Sequence, residues 1–228
     1  VNRALRDSIV AVVAGVSLPV VLVGAAVLLF LNPIWVSFEQ GRSQVTAWTG
    51  YTAEQVNQVT GSILSDLVFG PPRFDAAVNG VQVLDSREVS HMADVRGVFM
   101  ALGAVGLLAL IALVATAAGS RLNRSFWRGV EIGATVLAGG VVVVGIFLAV
   151  FFDQVFLLFH DVFFAPGSFS FDPRTEKLVQ LFPDQFWSDT SIALAAVVLA
   201  LGLASRWLAH RMIAAPRPAP AVAAEVAP

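Results

Sequence analysis

The chain contains no cysteine, which excludes disulfide staples, thiolate metal ligands and cysteine nucleophiles. Charge is scarce as well. Asp, Glu, Lys and Arg make up 13% of the 228 residues, against about a quarter in an average soluble domain. There is no Gly-rich phosphate loop of the Walker or dinucleotide kind, no HExxH pair and no GxSxG elbow, so no signature of nucleotide, zinc or serine-hydrolase chemistry is present. No internal repeat is evident. A formal net charge of −2 gives no reason to expect a nucleic-acid partner.

What the chain has instead is apolar length. Hydrophobic residues make up 57% of it, more than a soluble core could hide. Four runs are almost free of charge: Ile9–Leu31, Gly97–Ser120, Ile132–Phe152 and Thr190–Ser205. About 20 apolar residues in a helix cross a hydrocarbon core of roughly 30 Å, and the runs lack the period-two pattern of a barrel. The fourth run is short and is expected to use its flanks, with Trp187 and Trp207 at the interfaces and Arg206 snorkelling outward. Arg3 and Arg6 precede the first run as they would in a signal peptide. Its 23 uncharged residues exceed the usual apolar region of one, and no small-residue cleavage site clearly follows, so it is read as a retained helix.

These runs predict an all-α integral membrane protein with four transmembrane helices and an extracytoplasmic cap formed by two outer loops. The membrane domain is expected over residues 1–213, with loops 32–96 and 153–189 outside, and residues 214–228 are expected to be a disordered Pro/Ala-rich cytoplasmic tail. Arg3, Arg6, Arg121, Arg124, Arg128, Arg206, Arg211 and Arg217 all fall on one side of such a chain, which the positive-inside rule makes cytoplasmic. The other side receives thirteen of the sixteen Asp and Glu, so function is sought there. In the first loop, Val56, Val59, Ile63 and Leu67 recur at helical spacing and predict an amphipathic helix from Trp48 to Leu67, ended by Gly70, Pro71 and Pro72. Val81, Val83 and Phe74 hint at a short extended piece. Ser86 is expected to cap a helix that runs into the second span, with Glu88, His91 and Asp94 along one face.

The second loop holds ten of the seventeen phenylalanines between Phe151 and Phe186. Within FLLFHDVFF, residues 156–164, a helix would gather Phe156, Phe159, His160, Phe163 and Phe164 on one broad face and turn Asp161 away. Such a helix either continues the third span or bends to lie in the interface. A short helix is expected near Glu176–Leu181, a turn at Asp172 before Pro173, and a cap or interface role at Asp189. The chain has three histidines. His210 sits beyond the fourth span as a juxtamembrane polar residue. His91 and His160 both fall at the outer boundary and can meet although 69 positions separate them. Ionisable groups near lipid are costly and point to function. As a pair they fit general acid and base, or two metal ligands completed by Asp94 or Asp161. No metal-ligand spacing supports the second reading.

The blocks around these histidines, REVSHMADVRGVF at 87–99 and FHDVFFAPGSFSFDPRTEKLVQLFPDQFWSD at 159–189, resemble the bacterial integral membrane family that includes the lipoprotein intramolecular transacylases. The specific parts are E-x-x-H-x-x-D-V-R, F-H-x-x-F-F, and F-D-P with L-F-P-x-x-F-W. The likeness runs from the first helix to about residue 210 and is loose in the loop before Ser86. It implies catalytic histidines at His91 and His160. Glu88, Asp94, Arg96, Asp161, Asp172 and Trp187 are expected to support them, and Phe156, Phe159, Phe163 and Phe164 to face lipid. No metal and no cofactor are expected.

The partners implied are diacylglyceryl-modified lipoproteins and membrane lipids. One acyl chain would pass from the glyceryl group to the α-amino group of the N-terminal cysteine, leaving a lyso-form lipoprotein. Exchange of an ester for an amide runs downhill without a nucleotide, in keeping with the missing phosphate loop. The alternatives are another membrane lipid acyltransferase or hydrolase using the same histidines, or a membrane interaction protein without activity. Against transport, none of the four runs carries a charged residue that could mark an ion path.

Overall fold

The computed structural model describes residues 2–215, so the expected tail lies outside the described residues beyond its first two positions. In chain order the elements are α1 (Arg3–Phe30), α2 (Pro33–Arg42), α3 (Val45–Thr49), α4 (Ala53–Val68), β1 (Ala77–Val78), β2 (Val81–Gln82), α5 (Ser86–Ser120), α6 (Arg124–Val150), α7 (Phe152–Phe163), α8 (Lys177–Leu181) and α9 (Asp184–Ala214). The protein is an all-α membrane protein: α1, α5, α6 and α9 are each long and apolar enough to cross a bilayer.

In the bundle, α1 packs against α5, α6 and α9, and α6 packs along α9, whereas α5 and α6 barely touch. Lipid offers no hydrophobic drive for helix association, so close backbone approach has to supply it. The contact between α1 and α6 does so. Gly129 and Gly133 form a GxxxG step on α6, and a Cβ at Gly129 would collide with the Ala11 carbonyl oxygen on α1 and one at Gly133 with that of Gly15. Ala14, Leu18, Val130 and Ala134 fill the same seam. At the end of the bundle where α1 begins, Arg6 donates to the Gly119 carbonyl of α5 at 3.0 Å. His210 of α9 pairs there with Glu131 of α6 at 3.1 Å, a specific partner that the sequence did not indicate.

At the other end, α2, α3, α4, the β1–β2 hairpin, α8 and the first turns of α5 form a small body with a core of larger side chains. Val45, Val56, Val59, Ile63, Leu67, Phe74, Leu84, Met92 and Leu181 are buried together there. The 35 residues of α5 extend about 52 Å against a hydrocarbon core of roughly 30 Å, so its N-terminal turns belong to this body.

Several expectations are corrected. The helix expected from Trp48 is two helices, because Gly50 adopts a left-handed φ of 72° and Thr52 opens α4 with a capping box to Gln55. The cap of α5 is Asp85 rather than Ser86, since its carboxylate accepts from both Arg87 N–H and Glu88 N–H where a hydroxyl would be the weaker acceptor. The extended piece is a two-residue hairpin. Phe74 is not part of it: buried at a positive φ, it is held by the Asp66 carboxylate at 2.7 Å. Asp189 lies inside α9, which starts at Asp184 behind Pro183, and is engaged by Arg42 at 3.1 Å.

The glycine seam generates a stability prediction. Gly133→Ala should lower the thermal stability of the purified protein by about 1–3 kcal/mol through overpacking. Gly139→Ala on the same helix, where a Cβ meets nothing within 4 Å, should leave it unchanged or raise it. Equal effects in a thermal shift assay would show that the seam does not hold the bundle.

Candidate active site

His91 stands in the second turn of α5, one turn beyond Glu88. Glu88 is 2% exposed and its carboxylate accepts from Asp85 N–H and Leu178 N–H, each at 2.6 Å. The first bond closes the capping box of α5 and the second joins its tip to α8. Burial pushes the Glu88 carboxyl above its usual range, against the opposing effect of those two N–H bonds. Arg87 adds a second tie between the loops: it donates to Ser170 O at 2.8 Å, pairs with Glu176 at 3.3 Å and lies over the Phe171 ring.

His160 stands in the last turn of α7. The third span stops at Val150 and α7 begins at Phe152 after non-helical backbone at Phe151, so the aromatic stretch is a separate helix rather than a continuation. The imidazoles of His91 and His160 stack with centroids 6.0 Å apart and planes 19° from parallel. Phenylalanines surround them. Phe164 meets His91 at 4.8 Å and His160 at 5.4 Å, Phe171 meets His91 at 5.4 Å, and Phe156 and Phe169 meet His160 at 4.2 and 5.1 Å.

The two imidazoles are not equivalent. His160 Nδ1 lies 2.8 Å from the Phe156 carbonyl oxygen; that oxygen can only accept, so Nδ1 carries the proton and the neutral ring presents its lone pair on Nε2. His91 is 6% exposed and its Nδ1 has no hydrogen-bond partner among the described residues. It precedes the apolar run of α5, in the small body formed by the loops. Burial drives its pKa down to about 4, with the neighbouring His160 adding to the fall and Asp94 opposing it. Near neutral pH His91 is therefore an uncharged imidazole with an unpaired buried nitrogen. Buried polar atoms without partners are uncommon, and such an atom is ready to bond a ligand.

Not every expected residue joins the pair. Phe159 touches His160 at 5.5 Å, whereas Phe163 packs on Phe159 without contacting either imidazole. Asp94 is exposed and makes no hydrogen bond to His91, because one turn along the helix it faces outward. Asp161 is also exposed and forms no hydrogen bond or ion pair among the described residues. Arg96 donates to the Asp66 carbonyl and ties α5 to the end of α4. Asp172 forms the expected turn, accepting from Thr175 and Glu176 N–H through its carbonyl, and the Arg174 guanidinium bonded to its carboxylate holds that group well below the usual range. Trp187 rests between Phe156 and Phe182 at 6.3 and 6.1 Å, linking α7 to α9. Among the described residues no three or more His, Cys, Asp or Glu lie together as a metal site. The contributions of Phe169, Phe171 and Arg87 were not foreseen, although the alternation S-F-S-F at 168–171 is a pattern that directs two rings to one side.

A family model described as lipoprotein intramolecular transacylase Lit matches residues 12–187. An uncharacterized protein of Aquifex aeolicus (strain VF5) is 29% identical over 129 residues, which cover 55% of this chain and 56% of that protein, little more than half of its length. Among solved structures, the in meso structure of the membrane integral lipoprotein intramolecular transacylase Lit from Bacillus cereus superposes with a TM-score of 0.79 at 17% identity, over 92% of this chain and 97% of that one. A variant of the same Bacillus cereus protein with one histidine replaced by alanine gives 0.74 at 15% identity, over 92% and 95%. At such identities these structures establish a shared fold.

Burial of a neutral His91 has a measurable consequence. The unfolded chain takes up a proton near the reference value of about 6.5 and the folded chain only near 4, so this contribution is fully present above pH 6.5 and is lost as pH falls toward 4. The loss should amount to about 3 kcal/mol across the window. Unfolding in detergent at pH 6.5 and pH 4.5 should show it in the wild type and show a flatter dependence in His91→Phe. Identical slopes would show that His91 charges freely in the folded protein.

Proposed function

Because the chain belongs to the lipoprotein intramolecular transacylase family, we propose that it moves one acyl chain of a diacylglyceryl-modified lipoprotein from glycerol to the α-amino group of the N-terminal cysteine. The observation that carries this reading is the stacked pair His91–His160 in a phenylalanine-lined recess where the outer body meets the apolar spans. A lipid ester and a water-exposed amine come together at that level. The body bearing the pair contains the acidic loops, and the opposite end collects the arginines, so the recess is extracytoplasmic and the α1 start and α9 end are cytoplasmic.

The geometry divides the work. The α-amino group, with a reference pKa of about 7.7 to 8.0, is mostly protonated and cannot attack. His160 Nε2, whose lone pair is left free by the Nδ1–H bond to Phe156 O, removes that proton. The nitrogen then adds to the ester carbonyl. His91, uncharged and unpaired at Nδ1, supplies a hydrogen bond to the developing oxyanion, where a buried donor is worth more than it would be in water. With its first proton released to water, His160 takes a second from the nitrogen of the adduct and gives it to the glyceryl oxygen as the bond between that oxygen and the acyl carbon breaks, so the ammonium ends as one amide N–H, one hydroxyl and one free proton. One C–O bond is exchanged for one C–N bond, and the pair never holds two positive charges. Donor and acceptor belong to one substrate molecule, so correct placement can recover part of roughly 7–11 kcal/mol of barrier. The rings around the pair exclude the water that would otherwise hydrolyse the ester.

Mass spectrometry of a diacylglyceryl lipopeptide incubated with the purified protein tests the reading. N-acylation with unchanged total mass is expected, and release of free fatty acid would identify a hydrolase instead. His91→Ala and His160→Ala should each lower product formation by at least about 100-fold, the double variant should be little worse than either, and His210→Ala should remain near wild type. Full activity in a well-folded His160→Ala variant would remove the base from this mechanism.

Topology has its own test. With no native cysteine, a single cysteine replacing Gln82 should be labelled in intact cells by a membrane-impermeant reagent, and one replacing Arg124 should not. The reverse pattern would invert the orientation and place the recess in the cytoplasm.

A further inference from the structure

Beside the histidine pair a groove of about 550 Å³ runs between α5 and the end of α7, within the roughly 300–1,000 Å³ of ligand pockets. Gly97, Ala101 and Val105 line it along one face of α5, Asp94 stands at its outer mouth, and Phe163 and Phe164 form the facing wall. Three observations indicate what fills it. Phe164 is shared between groove and site, since the same ring meets His91 at 4.8 Å. From Asp94 to Val105 the groove extends about 16 Å along the helix, about the hydrocarbon depth of one leaflet in a core of roughly 30 Å. The groove also lies on the most open side of the bundle. None of the most apolar window of α5 is buried against protein, and α5 and α6 barely touch, so a chain can slide in sideways from the bilayer.

We propose that this groove holds the acyl chain being transferred, with its carbonyl at His91 and His160 and its tail lying over Gly97 and Ala101. This rests on the transacylase reading and adds to it the residues that set chain length. Gly97 fits the assignment because packing does not require it: a Cβ there would meet nothing within 4 Å. Glycine inside a helix is otherwise unfavourable. Its missing side chain leaves room that none of the described residues fills. Asp94 at the mouth keeps the tail from lying the other way, since a carboxylate does not shelter hydrocarbon.

Two measurements test the proposal, and the first does not need turnover. A diacylglyceryl lipopeptide with a photoactivatable group on its acyl chain should cross-link to residues 97–105 of α5 and 163–165. It should do so in preference to the equally lipid-exposed stretch 107–114 of the same helix, and Gly97→Leu should abolish the preference. Even labelling along α5 would overturn the groove, whether or not the protein is a transacylase. In the second measurement Gly97→Leu and Ala101→Phe should lose about tenfold or more of N-acylation with palmitoyl chains, the scale on which apolar pockets sense length. They should retain activity with octanoyl chains, and Leu108→Phe on the lipid face should behave as wild type. Equal loss on both chain lengths, or none on either, counts against the groove. Cross-linking in the groove by a wild type that forms no N-acyl product would uphold the site and reject the reaction.

Discussion

A single buried carboxylate joins the two halves of the site. Glu88 belongs to the loop that leads into α5, and Leu178, whose N–H it accepts at 2.6 Å, belongs to the loop that follows α7. The same carboxylate closes the capping box at Asp85, so the start of α5 and the position of α8 are set together. His91 lies one turn further along α5, and the segment holding Phe169 and Phe171 leads into α8. Burying the carboxylate is costly, as the upward displacement of its pKa shows. Two N–H donors with bond lengths of charge-assisted type offset that cost. Without it, the buried N–H of Leu178 would be left unpaired at about 1–3 kcal/mol, although Arg87, bonded to Ser170 O and Glu176, and Gln40, which donates to Leu181 O, also tie the loops together.

The two ends of this arrangement obey different packing rules. In the spans the seam is made of Gly15, Gly129, Gly133, Ala14 and Ala134, because in lipid small residues let backbones approach and large ones gain nothing over the solvent. In the outer body the core is Val, Leu, Ile, Phe and Met, because there water surrounds the fold and area removed from it is favourable. His91 stands where one regime gives way to the other. The tie through Glu88 lies in the watery regime, where a fixed hydrogen-bond geometry can be enforced. The groove lies in the lipid regime, where α5 has few neighbours.

The four spans were legible in the sequence because bilayer thickness sets a length that composition alone can meet. Their boundaries were less so. The fourth looked short since Asp184 and Asp189 precede it, yet both belong to α9, with Arg42 engaging Asp189. The meeting of His91 and His160 was legible from topology, as both were placed at one boundary. What pattern could not supply was the role of Glu88. Three residues before His91 it read as a member of the same helical face, and only the fold of the other loop shows that it is committed to Leu178 N–H. The split of α3 from α4 was not legible for a local reason: the helix expected from the periodicity of Val56, Val59, Ile63 and Leu67 extends back through Gly50 to Trp48, whereas Gly50 takes a left-handed φ that ends α3.

The aromatic character of the site carries a further physical consequence. Aliphatic side chains would exclude water as well as phenylalanine does, but they would give a transient imidazolium on the half-buried His160 nothing in place of the water they remove, and poorly solvated charge is costly. Phenylalanine faces carry the negative end of a quadrupole and attract cations by about 0.5–2 kcal/mol according to how dry the contact is. The ring of Phe156 at 4.2 Å from His160, with Phe169 and Phe164 at 5.1 and 5.4 Å, places several such faces around one imidazole. The Phe156 carbonyl on Nδ1 adds a dipole of the same sign. His91 differs: it is buried beside another imidazole and held neutral. The recess thus combines a ring that can carry the proton for a moment with one that stays uncharged, and in the proposed transfer this asymmetry assigns base to the first and oxyanion donor to the second.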